Sequence, residues 1–328
     1  MSKVKVSGFI TIILIAVSCQ PSTVKVGSIE RIDPALDEII SPDAFVEKIA
    51  EGFDWSEGPV WVESQKMLLF TDVPKNIIYQ WTEQEGAKVY LTPSGFTGSG
   101  FGGSESGANG LILDDEGNLL LCQHGDRRVA IMNASLESPQ PDYSTVAGDY
   151  KGKKFNSPND LVWNNYSIYF TDPPYGLAAD SLREIPYQGV YRAPAEGEVE
   201  LLIDSLTRPN GISFSPDSKK MFVANSDKEK ARWYVYEMSD SATVLRGKVF
   251  FDATAEAQIE KGLPDGMKID SKGNIFATGP GGVWIFNLAG KLLGKIKLPE
   301  ATANCALSAD EKTLYLTSDM YLLRIKMK

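Results

Sequence analysis

The chain contains 328 residues with a mass of 35.9 kDa, enough for one large domain or two modest ones with a sizeable core. Hydrophobic residues make up 43% of it and charged residues 23%, a balance typical of globular proteins and not of disordered ones. Asp and Glu (43) outnumber Lys and Arg (33), and the net charge of -10 disfavours phosphate backbones, so we expect no nucleic-acid partner.

The histidine and cysteine counts limit the possible metal chemistry. The chain has one histidine, His124, and three cysteines. These are too few for multi-histidine zinc sites, haem or iron–sulfur frameworks. Any bound metal must therefore rely on oxygen ligands.

Residues 1–18 have the layout of a secretion signal. Lys3 and Lys5 precede an apolar run over 9–17, and Ser18-Cys19 follows it. The run is shorter than the roughly 20 apolar residues that a transmembrane helix needs.

The same segment resembles a bacterial lipoprotein signal, in which the cysteine becomes lipidated and begins the mature chain. Ala16 departs from that pattern, since leucine is usual there. We expect a lipid on Cys19 to hold the chain to the bacterial cell envelope, on the periplasmic side or at the outer membrane, as its only membrane contact. A plainly cleaved signal or an uncleaved anchor is the alternative. Residues 19–44 are predicted to be a linker.

The other two cysteines lie in apolar runs that are typical of strands. Cys122 follows Leu-Leu-Leu, and Cys305 precedes Ala-Leu. We expect buried free thiols, although an oxidising compartment permits a disulfide where the geometry allows it.

One short unit recurs along the rest of the chain: a polar triplet, an apolar run, a turn cluster and a second β-rich run. The central triplet positions are separated by 52, 50, 51, 55 and 39 residues. These positions are Glu57, Asn109, Asn159, Asn210, Asp265 and Asn304.

Six β-rich units of about fifty residues predict an all-β fold, a six-bladed β-propeller with four-stranded antiparallel blades over 45–328. A two-sheet sandwich is the alternative. The last unit has room for only three strands, so we expect 45–50 to supply its outer strand and close the ring. Helical periodicity is confined to 34–40 and 253–260.

The triplets predict a cation site. Side chains at the same phase of each innermost strand point towards the channel, and every central triplet residue carries a side-chain oxygen. A hard cation binds six to eight oxygens, which favours Ca²⁺; Mg²⁺, with a tighter octahedron, remains possible. The alternative is that Asn and Asp beside Gly merely form turns.

Longer motifs then indicate a family. The phrases Phe155-Asn-Ser-Pro-Asn-Asp-Leu161, Tyr169-Phe-Thr-Asp-Pro-Pro-Tyr-Gly176 and Arg208-Pro-Asn-Gly211, with Cys122-Gln-His-Gly-Asp-Arg-Arg128, resemble the bacterial gluconolactonase branch of the gluconolactonase, senescence marker protein (regucalcin) and luciferin-regenerating enzyme family. The resemblance implies that a divalent cation, commonly calcium, is held by Glu57, Asn159, Asn210 and Asp265.

The resemblance does not carry over to substrate recognition. The regucalcin branch has a lactone-contacting arginine two residues before the Asn of Asn-Asp, where this chain has Ser157. Arg127 and Arg128 are candidates to replace that missing arginine. The predicted substrate contacts are Asn109, Arg127, Arg128, Asp160 and Tyr175.

Two residues are candidates for proton transfer. The resemblance places a functional carboxylate at Asp265, and His124 has an ordinary pKa near 6.5 that suits neutral pH. The alternatives are that Asp265 is only a cation ligand, and that His124 is a rim residue that hydrogen-bonds substrate or a neighbouring loop. No Gly-x-Ser-x-Gly motif is present, which disfavours a serine nucleophile.

The glycine-rich segment 93–108 is predicted to be either a cover for the channel mouth or a flexible connection between blades.

These residues predict a calcium-dependent hydrolase that opens sugar lactones by metal polarisation of the carbonyl and attack by water. The alternatives are a non-catalytic propeller that binds a glycan or protein around a structural calcium, and a phosphotriesterase-like hydrolase. The oligomeric state stays open.

Overall fold

Antiparallel sheets follow one another around a central axis, and each begins at one of the polar triplets. The computed structural model describes residues 24–100 and 102–328. It confirms the all-β, six-bladed propeller. The predicted signal and Cys19 lie outside the described residues, and none of the helices within them is long and apolar enough to cross a membrane.

Blades 1 to 4 are each built from four strands in chain order. Blade 1 contains Ser56–Val62, Met67–Asp72, Ile77–Thr82 and Gly86–Leu91; blade 2 contains Ala108–Leu113, Leu119–Gln123, Arg128–Met132 and Tyr143–Ala147. Blade 3 contains Leu161–Asn164, Ser167–Asp172, Gly189–Pro194 and Glu200–Ile203; blade 4 contains Pro209–Phe214, Lys220–Asn225, Arg232–Met238 and Val244–Asp252. A small hairpin, Asp149–Tyr150 with Lys153–Lys154, links blades 2 and 3.

Blades 5 and 6 take strands from both ends of the described chain. Blade 5 contains Met267–Ile269, Asn274–Gly279, Gly282–Asn287 and Leu292–Lys297; blade 6 contains Asn304–Leu307, Thr313–Ser318 and Tyr321–Lys326. Val46–Glu51 pairs antiparallel with Tyr321–Lys326, which confirms the predicted closure of the ring.

The prediction that residues 19–44 are a linker is wrong in part, because part of this segment adds strands to two blades. Val24–Val26 adds a fifth strand to blade 6, and Ser28–Arg31 adds one to blade 5. Both strands are too short to show a recognisable alternation of apolar and polar residues in the sequence. They cover blade edges that would otherwise expose unpaired backbone groups. Leu36, from the 3-10 helix Pro34–Glu38, is fully buried between the same two blades.

The remaining helical turns are short. The described residues contain further 3-10 helices at Glu63–Gln65, Asp180–Leu182, Lys228–Lys230 and Glu256–Gln258. The two stretches with helical periodicity therefore form single 3-10 turns rather than α-helices.

The hydrophobic core is divided among the interfaces between neighbouring blades. In blade 1 the strand Met67–Asp72 is buried along its whole length. Leu69 packs towards blade 2, whereas Leu68 and Phe70 pack towards blade 6. Equivalent clusters fill the other interfaces, so a middle strand is buried on both faces and appears as a continuous apolar run in sequence.

Both cysteines of the described chain are buried free thiols, as predicted. Cys122 lies in the cluster between blades 2 and 3, and Cys305 in the cluster between blades 5 and 6. Burial raises the pKa of each thiol, so neither is activated as a nucleophile.

The innermost strands approach one another so closely that the triplets require glycine. A Cβ on Gly58 would lie 1.9 Å from the carbonyl oxygen of Asn109 in blade 2, and Gly58 also has a φ of 46°. A Cβ on Gly211 would lie 2.2 Å from the carbonyl oxygen of Asp265 in blade 5. Glycine at these positions lets one blade present its backbone to the next.

Gly211→Ala should therefore destabilise the ring. Overpacking against a backbone atom that cannot rotate away typically costs about 1–3 kcal/mol of unfolding free energy. Gly148→Ala is the matched control, because the nearest atom to its added Cβ is a threonine methyl at 3.1 Å. Urea unfolding measures both variants, and equal stability of the two would contradict the packing account.

Candidate functional site

The polar triplets meet at a cavity of about 680 Å³ at one mouth of the channel. Glu57, Asn109, Asn159, Asn210 and Asp265 all line it, so the structure brings together the four predicted metal ligands and Asn109. They come from blades 1 to 5, and the convergence follows from their equivalent position on the inner strands.

β-Bulges aim three of these side chains. The register of the inner strand shifts between Glu57 and Val60 in blade 1. Blades 2 and 4 shift at the equivalent places, around Asn109 and Asn210. A bulge adds a residue to one strand and redirects its side chains, which explains why a polar residue can leave an otherwise apolar strand for the channel.

Asn304 and Asp160 do not line the cavity. Asn304 Nδ2 lies 3.3 Å from both Glu57 Oε2 and Asp160 Oδ2, so its amide links the two carboxylates. Asp160 Oδ1 also accepts a hydrogen bond from the Leu161 amide at 2.9 Å. The structure thus uses Asp160 to support Glu57 across the channel, and not as the substrate contact expected from sequence.

Three buried carboxylates share this axis, and the charge of Lys268 lowers the pKa of Glu57 and Asp160 but does not offset their burial. Burial raises the pKa of Glu57 to about 8, and the charge of Asp160 adds to the effect. Burial also raises the pKa of Asp160, and raises that of Asp265 together with the charges of Glu57 and Asp160. Within residues 24–100 and 102–328, none of the three forms an ion pair. Such a group of carboxylates favours binding of positive charge.

Several buried oxygens in the cavity lining have no hydrogen-bond partner among residues 24–100 and 102–328. The triplets contribute Asn109 Oδ1, Asn159 Oδ1 and Asp265 Oδ1, and Glu260 Oε2 is a fourth such oxygen in the cavity lining. A buried polar atom left without a partner costs about 1–3 kcal/mol, so each such oxygen calls for an explanation. Carboxylate and amide oxygens are the ligands that hard divalent cations prefer, and the residues present fit such an ion.

The ligand set is mixed and contains few charged groups. In the described part of the chain no three His, Cys, Asp or Glu side chains cluster closely enough to hold a metal by themselves. The candidate site therefore depends on the amides Asn159 and Asn210 as much as on its carboxylates.

His124 does not face the cavity, contrary to its expected role in proton transfer. Its side chain is fully buried, and burial lowers its pKa to about 4, so the ring is neutral at physiological pH. Nδ1 lies 3.0 Å from the Glu105 carbonyl oxygen and Nε2 lies 3.4 Å from Asn159 Nδ2. The ring thus contacts protein at both nitrogens.

Arg127 and Arg128 also point away from the cavity. Arg127 Nε donates to the Phe155 carbonyl oxygen at 2.7 Å, and Arg128 Nε donates to Gln123 Oε1 at 2.6 Å. Arg127 has a left-handed φ of 60° and lies in the turn before the third strand of blade 2. Neither arginine therefore replaces the lactone-contacting arginine that the regucalcin branch has at the position of Ser157.

Ser157 itself has a clear structural role. Its hydroxyl donates to the Pro173 carbonyl oxygen at 2.6 Å and accepts from the Gly176 amide at 2.9 Å. These bonds hold the turn that carries Tyr175, which lines the cavity as predicted.

Sequence reasoning missed Arg208, which lines the cavity beside Tyr175. Its guanidinium carbon lies 5.6 Å from the Tyr175 ring centroid, in cation–π range. Within the described chain Arg208 forms no ion pair. Arg208 precedes Asn210 by two residues, the offset at which the regucalcin branch has its lactone-contacting arginine before the Asn of Asn-Asp. That offset could have identified Arg208 as a candidate substrate contact.

Glu105 is a second missed residue. It belongs to the glycine-rich segment and lines the cavity, and burial raises the pKa of its carboxyl group. The segment is anchored where it begins, because Asn76 Oδ1 accepts hydrogen bonds from the Ser94, Gly95 and Phe96 amides. The described part of this segment therefore forms one wall of the cavity.

Known proteins of similar sequence and fold identify the family. Residues 55–320 match the family described as SMP-30/Gluconolactonase/LRE-like region. The chain belongs to this family. It is 38% identical over 318 residues to a gluconolactonase of Zymomonas mobilis, covering 92% of this chain and 87% of that protein.

Two further similar proteins are more distant. A pentonolactonase of Haloferax volcanii is 23% identical, with 80% of each chain covered. A solved gluconolactonase structure from Xanthomonas campestris has a TM-score of 0.81 at 26% identity, with 95% of this chain and 99% of that chain covered.

The carboxylates predict how the metal-free protein responds to pH. The folded pKa of Glu57, about 8, exceeds its ordinary value of 4.5, so the folded state binds more protons than the unfolded state between these values. The unfolding free energy should therefore fall as the pH rises from about 5 to 8.

Thermal unfolding in a chelator across that range tests this expectation. Glu57→Gln should show a shallower decline, because it removes one titrating group. If the melting temperature of the chelated wild-type protein does not fall over this range, the raised pKa of the buried Glu57 carboxyl group is contradicted.

Proposed function

We propose that the protein is a lactone hydrolase of the gluconolactonase type that uses a divalent cation, with calcium as the best candidate. The observation that carries the proposal is the group of unpartnered buried oxygens that face one cavity. The 38% identity to the Zymomonas gluconolactonase supports the reaction class. The oxygen-only ligands support calcium, which takes six to eight of them.

Glu57, Asn159, Asn210 and Asp265 would hold the cation. When bound, Ca²⁺ supplies positive charge that stabilises the negative charge developing on the lactone carbonyl oxygen. Two carboxylates balance the two charges of the ion, so the loaded site loses the repulsion between Glu57 and Asp265.

Asp265 is the proposed acid and base. Its carboxylate accepts a proton from the attacking water as the water oxygen bonds to the carbonyl carbon. The bond from that carbon to the ring oxygen then breaks, and the Asp265 carboxyl group returns the proton to the ring oxygen. The product is an open hydroxy acid, and Asp265 is restored as a carboxylate.

Arg208, Tyr175 and Asn109 are the proposed substrate contacts. All three line the cavity and carry hydrogen-bonding groups that suit the hydroxyls of a sugar lactone. We propose a six-carbon aldonolactone of the glucono-1,5-lactone type, since the gluconolactonase relative is more similar than the pentonolactonase.

A lactone panel assayed with and without a chelator tests the proposal. We expect turnover of aldonolactones that is lost on chelation and restored by calcium. Glycan binding without hydrolysis, or hydrolysis of an organophosphate but of no lactone, would overturn it.

Asp265→Asn and Glu57→Gln should have different consequences. Asp265→Asn removes both a ligand charge and the proposed base, so at saturating calcium it should still lower kcat at least about 100-fold, within the range that general-base catalysis contributes. Glu57→Gln removes one ligand charge and should mainly weaken calcium affinity. Kinetics at saturating calcium and calorimetric titration separate the two, and unchanged calcium affinity in Glu57→Gln would mean that the site is misplaced.

Arg208→Met should raise KM for the lactone about tenfold, the typical effect of losing one charged hydrogen bond. Arg246→Met is the matched control, because Arg246 lies on the outer strand of the same blade and pairs with Glu237. Calcium affinity should stay at the wild-type value in both variants. Equal KM values would show that Arg208 does not contact substrate.

A further inference from the structure

His124 joins three segments around the cavity. Its Nδ1 lies 3.0 Å from the carbonyl oxygen of Glu105 in the glycine-rich segment, and its Nε2 lies 3.4 Å from the side-chain nitrogen of Asn159. Gly176, which follows Tyr175, packs so tightly that an added Cβ would lie 2.3 Å from His124 Cβ. The only histidine is thus confined from three sides.

These contacts determine which nitrogen carries the proton. A carbonyl oxygen only accepts hydrogen bonds, so Nδ1 must be the donor towards Glu105. Nε2 faces the NH₂ group of Asn159, which only donates, so Nε2 is the acceptor of that pair. An acceptor at that position requires Asn159 to turn its NH₂ group towards the ring, which directs Oδ1 the other way.

Asn159 Oδ1 is one of the buried oxygens without a partner, and Asn159 lines the cavity. The reversed amide would point its NH₂ hydrogens, which carry partial positive charge, at a bound cation. It would also point its oxygen at the Nε2 lone pair. Both contacts would be repulsive. The amide oxygen therefore faces the ion only while the imidazole holds the NH₂ group.

We propose that His124 is a positioning residue that orients the Asn159 amide as a cation ligand and links the glycine-rich segment to cation affinity. The proposal depends on the ion site of the proposed function. It assigns no proton transfer to His124 and no contact with substrate.

Two substitutions separate the two hydrogen bonds. His124→Asn places an amide near the Nδ1 position, so it can keep the bond to Glu105 but leaves the Asn159 NH₂ group without an acceptor. His124→Gln reaches the Nε2 position and can keep an acceptor for Asn159. Calorimetric titration with CaCl₂ should give about tenfold weaker binding for His124→Asn, the effect of one unsatisfied buried donor, and near wild-type binding for His124→Gln.

A double-mutant cycle distinguishes positioning from general support of the fold. In an Asn159→Ala background there is no amide to orient, so His124→Asn should cause no further loss of calcium affinity. A purely structural role would weaken binding by the same factor in both backgrounds. Thermal unfolding in a chelator confirms that each variant is folded.

The outcomes distinguish this proposal from the proposed function. Additive losses, or equal affinities of His124→Asn and His124→Gln, would overturn the positioning role while leaving the ion site intact. Absence of calcium binding to the wild-type protein would overturn the ion site and this proposal together. Calcium binding with the expected coupling but no lactone turnover would support the positioning role and overturn only the hydrolase.

Discussion

Buried oxygens gathered around one axis determine what the mouth of the channel can bind. The charge of Asp160 raises the pKa of Glu57, the charges of both raise the pKa of Asp265, and within the described chain none of the three has an ion-pair partner. Burying charge without a partner costs several kcal/mol, so the arrangement favours a bound cation over isolated carboxylates. The amides that join these carboxylates add oxygens without adding repulsion, which suits a hard ion.

The propeller supplies both the rigidity and the convergence of this site. Each interface between blades buries its own hydrophobic cluster, so the inner strands are held at fixed positions around the axis. Glycine beside the polar residue lets the next blade approach, and a bulge turns the polar side chain inward. The repeated triplet therefore places a polar side chain at the equivalent inner position of each blade. The identity of that side chain differs from blade to blade.

The repeat made the fold and the cavity predictable, because equivalent positions in a closed ring must face one axis. The roles of His124, Arg127 and Arg128 were not predictable, since they depend on side-chain direction after a left-handed turn and on which segment packs against the ring nitrogens. The two N-terminal edge strands escaped prediction because they are too short to show alternation. Arg208 could have been found from its offset to Asn210.

A crystal structure with a divalent ion that scatters anomalously, such as Mn²⁺ in place of Ca²⁺, would locate the cation site. We expect one peak on the channel axis, with side-chain oxygens of Glu57, Asn159, Asn210 and Asp265 about 2.0–2.6 Å away. Glu57→Gln crystals should show reduced occupancy at the same ion concentration. A peak elsewhere, or no peak at an ion concentration that supports turnover, would show that these oxygens do not bind the ion.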